Sequence, residues 1–168
     1  MASWANQNAT KPSIPSQLTG EPMAFSNAIT AIKNALNAVV VNSTNLFEFQ
    51  DNQIRDLTED GTGAMGFDGA YLLRYEGGGS AFEEIVSHSG TQEARSRFSL
   101  QIGTDFQQDP STHYQTVEER GQKAWSALVT TKELGHLIAV LPLGEPDRAE
   151  LADRRTVWTQ EFEMLYKV

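Results

Sequence analysis

Cysteine is absent from this sequence of 168 residues. That single absence removes disulfides, thiolate metal sites and a cysteine nucleophile, and leaves the redox compartment open. Basic clusters are missing too. There are 13 Lys and Arg against 22 Asp and Glu, a formal net charge of −9, and the pair Arg154-Arg155 stands among Glu145, Asp147, Glu150 and Asp153. Proteins that grip nucleic acid neutralise phosphates with clustered Lys and Arg, so specific DNA binding is not expected. An acidic surface also disfavours anionic lipid. Long apolar runs are lacking as well: residues 38–41 and 137–141 are the longest, far short of a membrane span. The first residues, Met-Ala-Ser-Trp-Ala-Asn-Gln-Asn, show neither the basic nor the apolar region of a signal peptide. These features predict a protein made in a cytoplasm, in which Asn8-Ala9-Thr10 and Asn42-Ser43-Thr44 carry no glycosylation signal.

What is present reads as a flexible N-terminal arm over residues 1–21 and a single α+β domain over residues 22–168. The arm is small and polar, with Pro12, Pro15 and Gly20. Trp4 and Ile14 are its exceptions, of the kind that dock on a neighbouring subunit when they are not simply solvated. Phe25, Ile29, Ile32, Leu36 and Val40 then fall at steps of four, three, four and four, which predicts one amphipathic helix with Pro22 in its first turn. Residues 46–50 read as a short strand with Phe47 and Phe49 on one side, and 51–69 as a polar, glycine-rich loop. Residues 70–75 and 95–106 read as strands. In the second, Phe98, Leu100, Ile102, Thr104 and Phe106 share a buried face, and Arg97, Ser99 and Gln101 a wet one. A second helix follows Asp109-Pro110-Ser111-Thr112 and ends near Gly135. Tyr114, Val117, Gly121, Ala124, Trp125 and Leu128 line its buried side, and Gly121 and Ala124 let it approach a sheet closely. Residues 137–143 predict a strand near a sheet edge because of Pro142. The closing strand, 157–168, sets Trp158, Phe162, Met164, Tyr166 and Val168 against Thr159, Glu161, Glu163 and Lys167. The order predicts a mainly antiparallel or mixed sheet with two amphipathic helices packed on one face.

Chemistry-bearing patterns are weak throughout. Gly61-Thr62-Gly63-Ala64-Met65-Gly66 spells GxGxxG, but it lacks the preceding strand and following helix that dinucleotide binding needs, and Glu59 and Asp60 would repel phosphate. Asp56, Thr58, Asp60 and Gly61 match the opening of a calcium loop, yet the position demanding a bidentate carboxylate is Phe67. Gly77-Gly78-Gly79-Ser80 follows a strand without the lysine of a phosphate loop, and reads as a tip that moulds to a partner. His88, His113 and His136 are isolated from one another in sequence. His113 near Asp109 and Ser111 has triad residue types but not a triad's spatial construction. Glu161 and Glu163 share a strand face and are the nearest approach to paired carboxylates. No nucleophile has its base and orienting group, so no catalytic, cofactor-binding or metal residue is assigned.

Four features together resemble the tail terminator proteins of tailed bacteriophages and, more loosely, the neighbouring head–tail joining proteins. They are the early helix from Phe25 to Val40, the glycine-tipped strand from Tyr71 to Ser80, the helix from Tyr114 to Leu134, and the closing strand from Trp158 to Tyr166. The likeness, in size, order and pattern, spans residues 22–168. It implies a non-enzymatic virion structural protein of the tail or neck, forming a homo-oligomeric, hexameric ring that caps the tail tube. Its partners would be the tail tube protein and a neck or connector protein, with DNA passing through unbound and no membrane involved. The alternatives are a head–tail connector or tail completion protein, and, from another class, a small metal-dependent hydrolase using Glu161, Glu163 or the acidic stretch from Asp56 to Asp60.

Overall fold

The computed structural model describes residues 21–50, 55–59, 67–77, 93–131 and 137–167. The N-terminal arm with Trp4 and Ile14, the glycine motif at 61–66, Asp60, the tip at 78–80, His88, Gly135, His136 and Val168 lie outside them.

Helix α1 (Glu21–Asn37) forms where apolar residues recur at helical spacing. Ala28, Ile32 and Leu36 are fully buried, with Phe25 and Ile29 packed beside them, and Pro22 occupies the first turn, where its missing N–H costs nothing. The stripe stops short of Val40, which is exposed while Val39 and Val41 are buried. The period changes from helix to strand because Asn42 and Ser43 adopt left-handed φ values of 51° and 64°, the two-residue turn that suits a hairpin. That turn joins β1 (Val40–Val41) to β2 (Thr44–Asn45). A run of valines fits either period, so the pattern alone could not find the break. Phe47 and Phe49 share one parity, their amides donating to the carbonyls of Gly69 and Tyr71, but differ in burial: Phe47, in β3 (Phe47–Glu48), is exposed and Phe49 is buried.

The main sheet contains β3, β4 (Ala70–Gly77), β5 (Glu93–Thr104), β6 (Leu137–Pro142), β7 (Asp147–Glu150) and β8 (Thr156–Lys167). Its order is β3-β4-β5-β8-β6, with β7 also on β8. β3 runs parallel to β4, and every other pairing is antiparallel. β6 pairs with the C-terminal half of β8 and β7 with its N-terminal half, so the two make one broken edge strand, as Pro142 foreshadowed. Helix α2 (Pro110–Thr130) begins at Asp109, whose carboxylate accepts from the amides of Ser111 and Thr112, satisfying donors that have no helical partner.

Both helices cover the same face. Tyr71, Phe98, Leu100, Ile102, Trp158, Phe162 and Met164 join Ile32, Leu36, Val117, Ala124 and Leu128 in one core. The architecture is α+β, with a mixed, mainly antiparallel sheet. Gly121 sets the helix–sheet distance: a Cβ there would stand 2.3 Å from Trp158 Cε2.

Four expectations are corrected. Ser99 and Gln101 are buried, not wet, because residues 55–59 fold over that end of the sheet and bring Leu57 into a second cluster with Phe49, Phe67, Ala70 and Val157. Helix α2 ends at Thr130, where the Thr131 amide bonds back to the carbonyls of Ala127 and Leu128, before Gly135 is reached. Tyr114 is exposed, while His113, Thr116 and Arg120 take places on the buried side. Phe106 lies beyond the end of β5 and is likewise exposed.

Candidate functional site

The face of the sheet opposite α1 and α2 carries a polar depression of about 390 Å³ between residues 55–59 and the broken edge strand. Among the described residues, Asp56, Glu76, Glu145, Asp147 and Glu161 supply five carboxylates against the single guanidinium of Arg74, a lining that repels anions. Asp56 is its best-held group. The Thr58 amide and hydroxyl donate to Oδ1 at 2.9 and 2.7 Å, Gln101 Nε2 donates at 3.0 Å, and Arg74 Nη1 donates to Oδ2 at 2.9 Å. Burial pushes the Asp56 carboxyl up, but these hydrogen bonds and the Arg74 charge outweigh it and hold the group below the usual carboxylate range. Gln101 completes the web, accepting from the Leu57 amide at 2.9 Å. Arg74 also pairs with Glu76 at 2.6 Å. The polar atoms at this centre thus bind one another, and they fasten a loop to a strand.

Glu161 and Glu163 leave β8 on the same side, as the alternation required, yet they do not converge. Glu161 lines the depression, and Glu163 lies 3.7 Å from Arg95. Among the described residues no group of three or more His, Asp or Glu is placed to hold a metal ion. His113 is no triad member: its Nε2 lies 2.8 Å from Thr156 Oγ1, while Asp109 caps the helix.

One charged group was missed by sequence reasoning. Arg120 is 2% exposed beneath α2 and grips Asp68 with both nitrogens, Nη1 to Oδ1 at 2.6 Å and Nη2 to Oδ2 at 3.0 Å. Nη1 also donates to Thr104 Oγ1 and the Gly103 carbonyl. The signal was available, since Arg120 interrupts the apolar stripe of Val117, Gly121, Ala124 and Leu128. Burial raises the Asp68 carboxyl, but the Arg120 hydrogen bonds and charge overcome it and leave it low. Neighbouring Asp105 goes the other way, pushed up by burial and by the Asp68 charge.

Two further surfaces are shaped for contact. An apolar groove of about 560 Å³ opens beside α1, lined by Phe25, Ile29, Leu73, Tyr75, Phe98 and Tyr166. A trough of about 530 Å³ runs along Leu72, Leu73, Arg74 and Tyr75 of β4 and is lined by Arg55 as well. Among the described residues no strand pairs with β4 beyond Tyr71 on its β3 side, and none pairs with the outer side of β6. Compared with known proteins, the chain matches no protein-family model and no curated relative.

Proposed function

We propose that this chain is a structural subunit of a tailed-phage virion, a tail terminator whose ring, of six copies, caps the tail tube and joins it to the neck. One observation carries the reading: the sheet offers two unpaired edges, β4 beyond Tyr71 and the whole outer side of β6, among the described residues. Exposed edges invite pairing with another chain, and two different edges on one subunit are what a closing head-to-tail ring uses. The face opposite α1 and α2 adds support. Among the described residues its carboxylates outnumber its cations in the depression, and a ring lined by such a surface would let duplex DNA slide past without sticking. In this reading the ordered polar groups fasten the fold, and the protein is not an enzyme.

The test is electron microscopy of the purified protein mixed with polymerising tail-tube protein. The expected result is a ring on one end of each tube and a halt to elongation there. A chain that stays monomeric with and without tube protein, and shows metal-dependent turnover lost in Glu161→Gln, would replace this reading with the hydrolase.

A further inference from the structure

We infer that neighbouring copies join by pairing β6 of one subunit with the stretch of β4 beyond Tyr71 of the next, unpaired among the described residues, so that the sheet runs continuously around the assembly. This deepens the ring reading and rests on it. Strand direction supplies the first argument. β4, β5, β8 and β6 alternate in direction through three antiparallel pairings, so β4 and β6 point opposite ways at opposite sides of the sheet. A second copy, related by rotation about an axis along the strands, brings its β4 beside β6 antiparallel. The alternation then continues across the junction, and all helices stay on one side.

Backbone parity supplies the second. The Phe49 amide donates to the Tyr71 carbonyl from the outer side of β4, so the N–H and C=O of Leu73 and Tyr75 also point outward. On β6, Leu143 donates to the Glu161 carbonyl of β8. Residues 141 and 143 therefore face inward to β8, and the backbone groups of Val140 face outward. Leu73, Tyr75 and Val140 all carry their side chains on the helix-covered face: Tyr75 stands opposite Phe98 and Val140 opposite Met164. Pairing Val140 with Leu73 or with Tyr75 thus joins like face to like, as a register must. Pro142 has no N–H and ends the ladder.

Surface chemistry supplies the third. The trough is lined by Leu72, Leu73, Arg74 and Tyr75 of β4, and β6 is apolar, with Leu141 45% exposed. Arg55, which lines the trough, would find counter-charges across the junction in Glu145 and Asp147, three and five positions beyond the end of β6.

The absence of cysteine makes disulfide trapping decisive. On the face opposite α1 and α2, Leu141 opposite Arg74 reports the register that sets Val140 against Tyr75, and Ala139 opposite Arg74 the one that sets it against Leu73. Both are close, non-hydrogen-bonded pairs, with Cα atoms about 4.5 Å apart and within disulfide reach. Oxidising Leu141→Cys/Arg74→Cys or Ala139→Cys/Arg74→Cys should give a ladder of covalent oligomers up to the closed ring in one of the two, and none in the single variants. Covalent dimers of Leu141→Cys alone would overturn the inference in favour of a two-fold β6–β6 contact. An oligomer of wild-type size that traps in neither double variant would overturn it and leave the ring standing, whereas a monomer under every condition would end both. Hydrogen exchange on the unmutated protein keeps the test independent of the variants. The amides of Leu73, Tyr75 and Val140 should be protected in the assembly and exchange fast in dilute monomer, and equal exchange in the two would contradict the pairing.

Discussion

Arg120 and Asp68 form an unequal pair, because the guanidinium is 2% exposed and the carboxylate 40%. Removing the carboxylate leaves a buried cation without its counter-charge, which costs about 3–5 kcal/mol. Removing the guanidinium leaves a carboxylate that water can reach. Asp68→Ala should therefore destabilise more than Arg120→Met, and the double variant should recover part of the loss, as a urea-denaturation double-mutant cycle would show. Acid acts on the same residues. The folded-state pKa values of Asp68 and Asp56 are lowered, so the stability they contribute is complete above the unfolded value of about 3.9 and is lost as pH falls through the folded ones. The urea midpoint should hold down to about pH 5 and fall progressively below it, with a shallower fall in Asp68→Ala. Asp105 has the opposite sign, since its raised pKa makes its ionised form unfavourable in the fold. Asp105→Asn should leave stability unchanged or raise it by up to about 0.5 kcal/mol at neutral pH, the small size reflecting solvent screening. At this scale the apolar positions were legible, and the buried charge showed only as a break in their stripe, without its partner. A period-based reading marks Val117, Gly121, Ala124 and Leu128 as the helix's inner face, but it says nothing of a carboxylate arriving from Asp68, 52 positions away.

Among the elements, α2 lies where it does because Gly121 has no side chain. Replacing a helical glycine with alanine gains about 1 kcal/mol of helix propensity. Here the added methyl would meet the Trp158 indole at 2.3 Å, and Trp158 is buried between helix and sheet. Overpacking of this kind costs about 1–3 kcal/mol. Gly121→Ala should lower the thermal midpoint, whereas Ser126→Ala, on the exposed side of the same helix, should barely move it. A rise in Gly121→Ala would mean that the helix can lift without loss. The small residues and the strand alternation announced this contact from the sequence. The wet face of β5 was misread for a reason of the same kind. Alternation shows that Ser99 and Gln101 oppose the core, and only tertiary structure shows that Leu57 and Asp56 fold over them. The β1–β2 hairpin escaped because its turn is Asn42-Ser43, whose left-handed φ values lack the glycine that usually signals such a turn.

The whole molecule presents an acidic, one-sided sheet. Its helices sit on one face, its carboxylate-rich depression on the other, and unpaired backbone remains at both sides among the described residues. The sequence made the layer order legible through its two periodicities, and Pro142 marked one edge. The other edge was hidden, because the pairing of β4 with so short a strand as β3 depends on where residues 47–49 land rather than on any local pattern. The most direct test of assembly through these edges is the mass of the particle in solution, measured by light scattering over a range of concentrations, with and without tail-tube protein. A discrete closed oligomer of six chains, in either condition, is the expected result. A single chain at every concentration in both conditions would contradict the account.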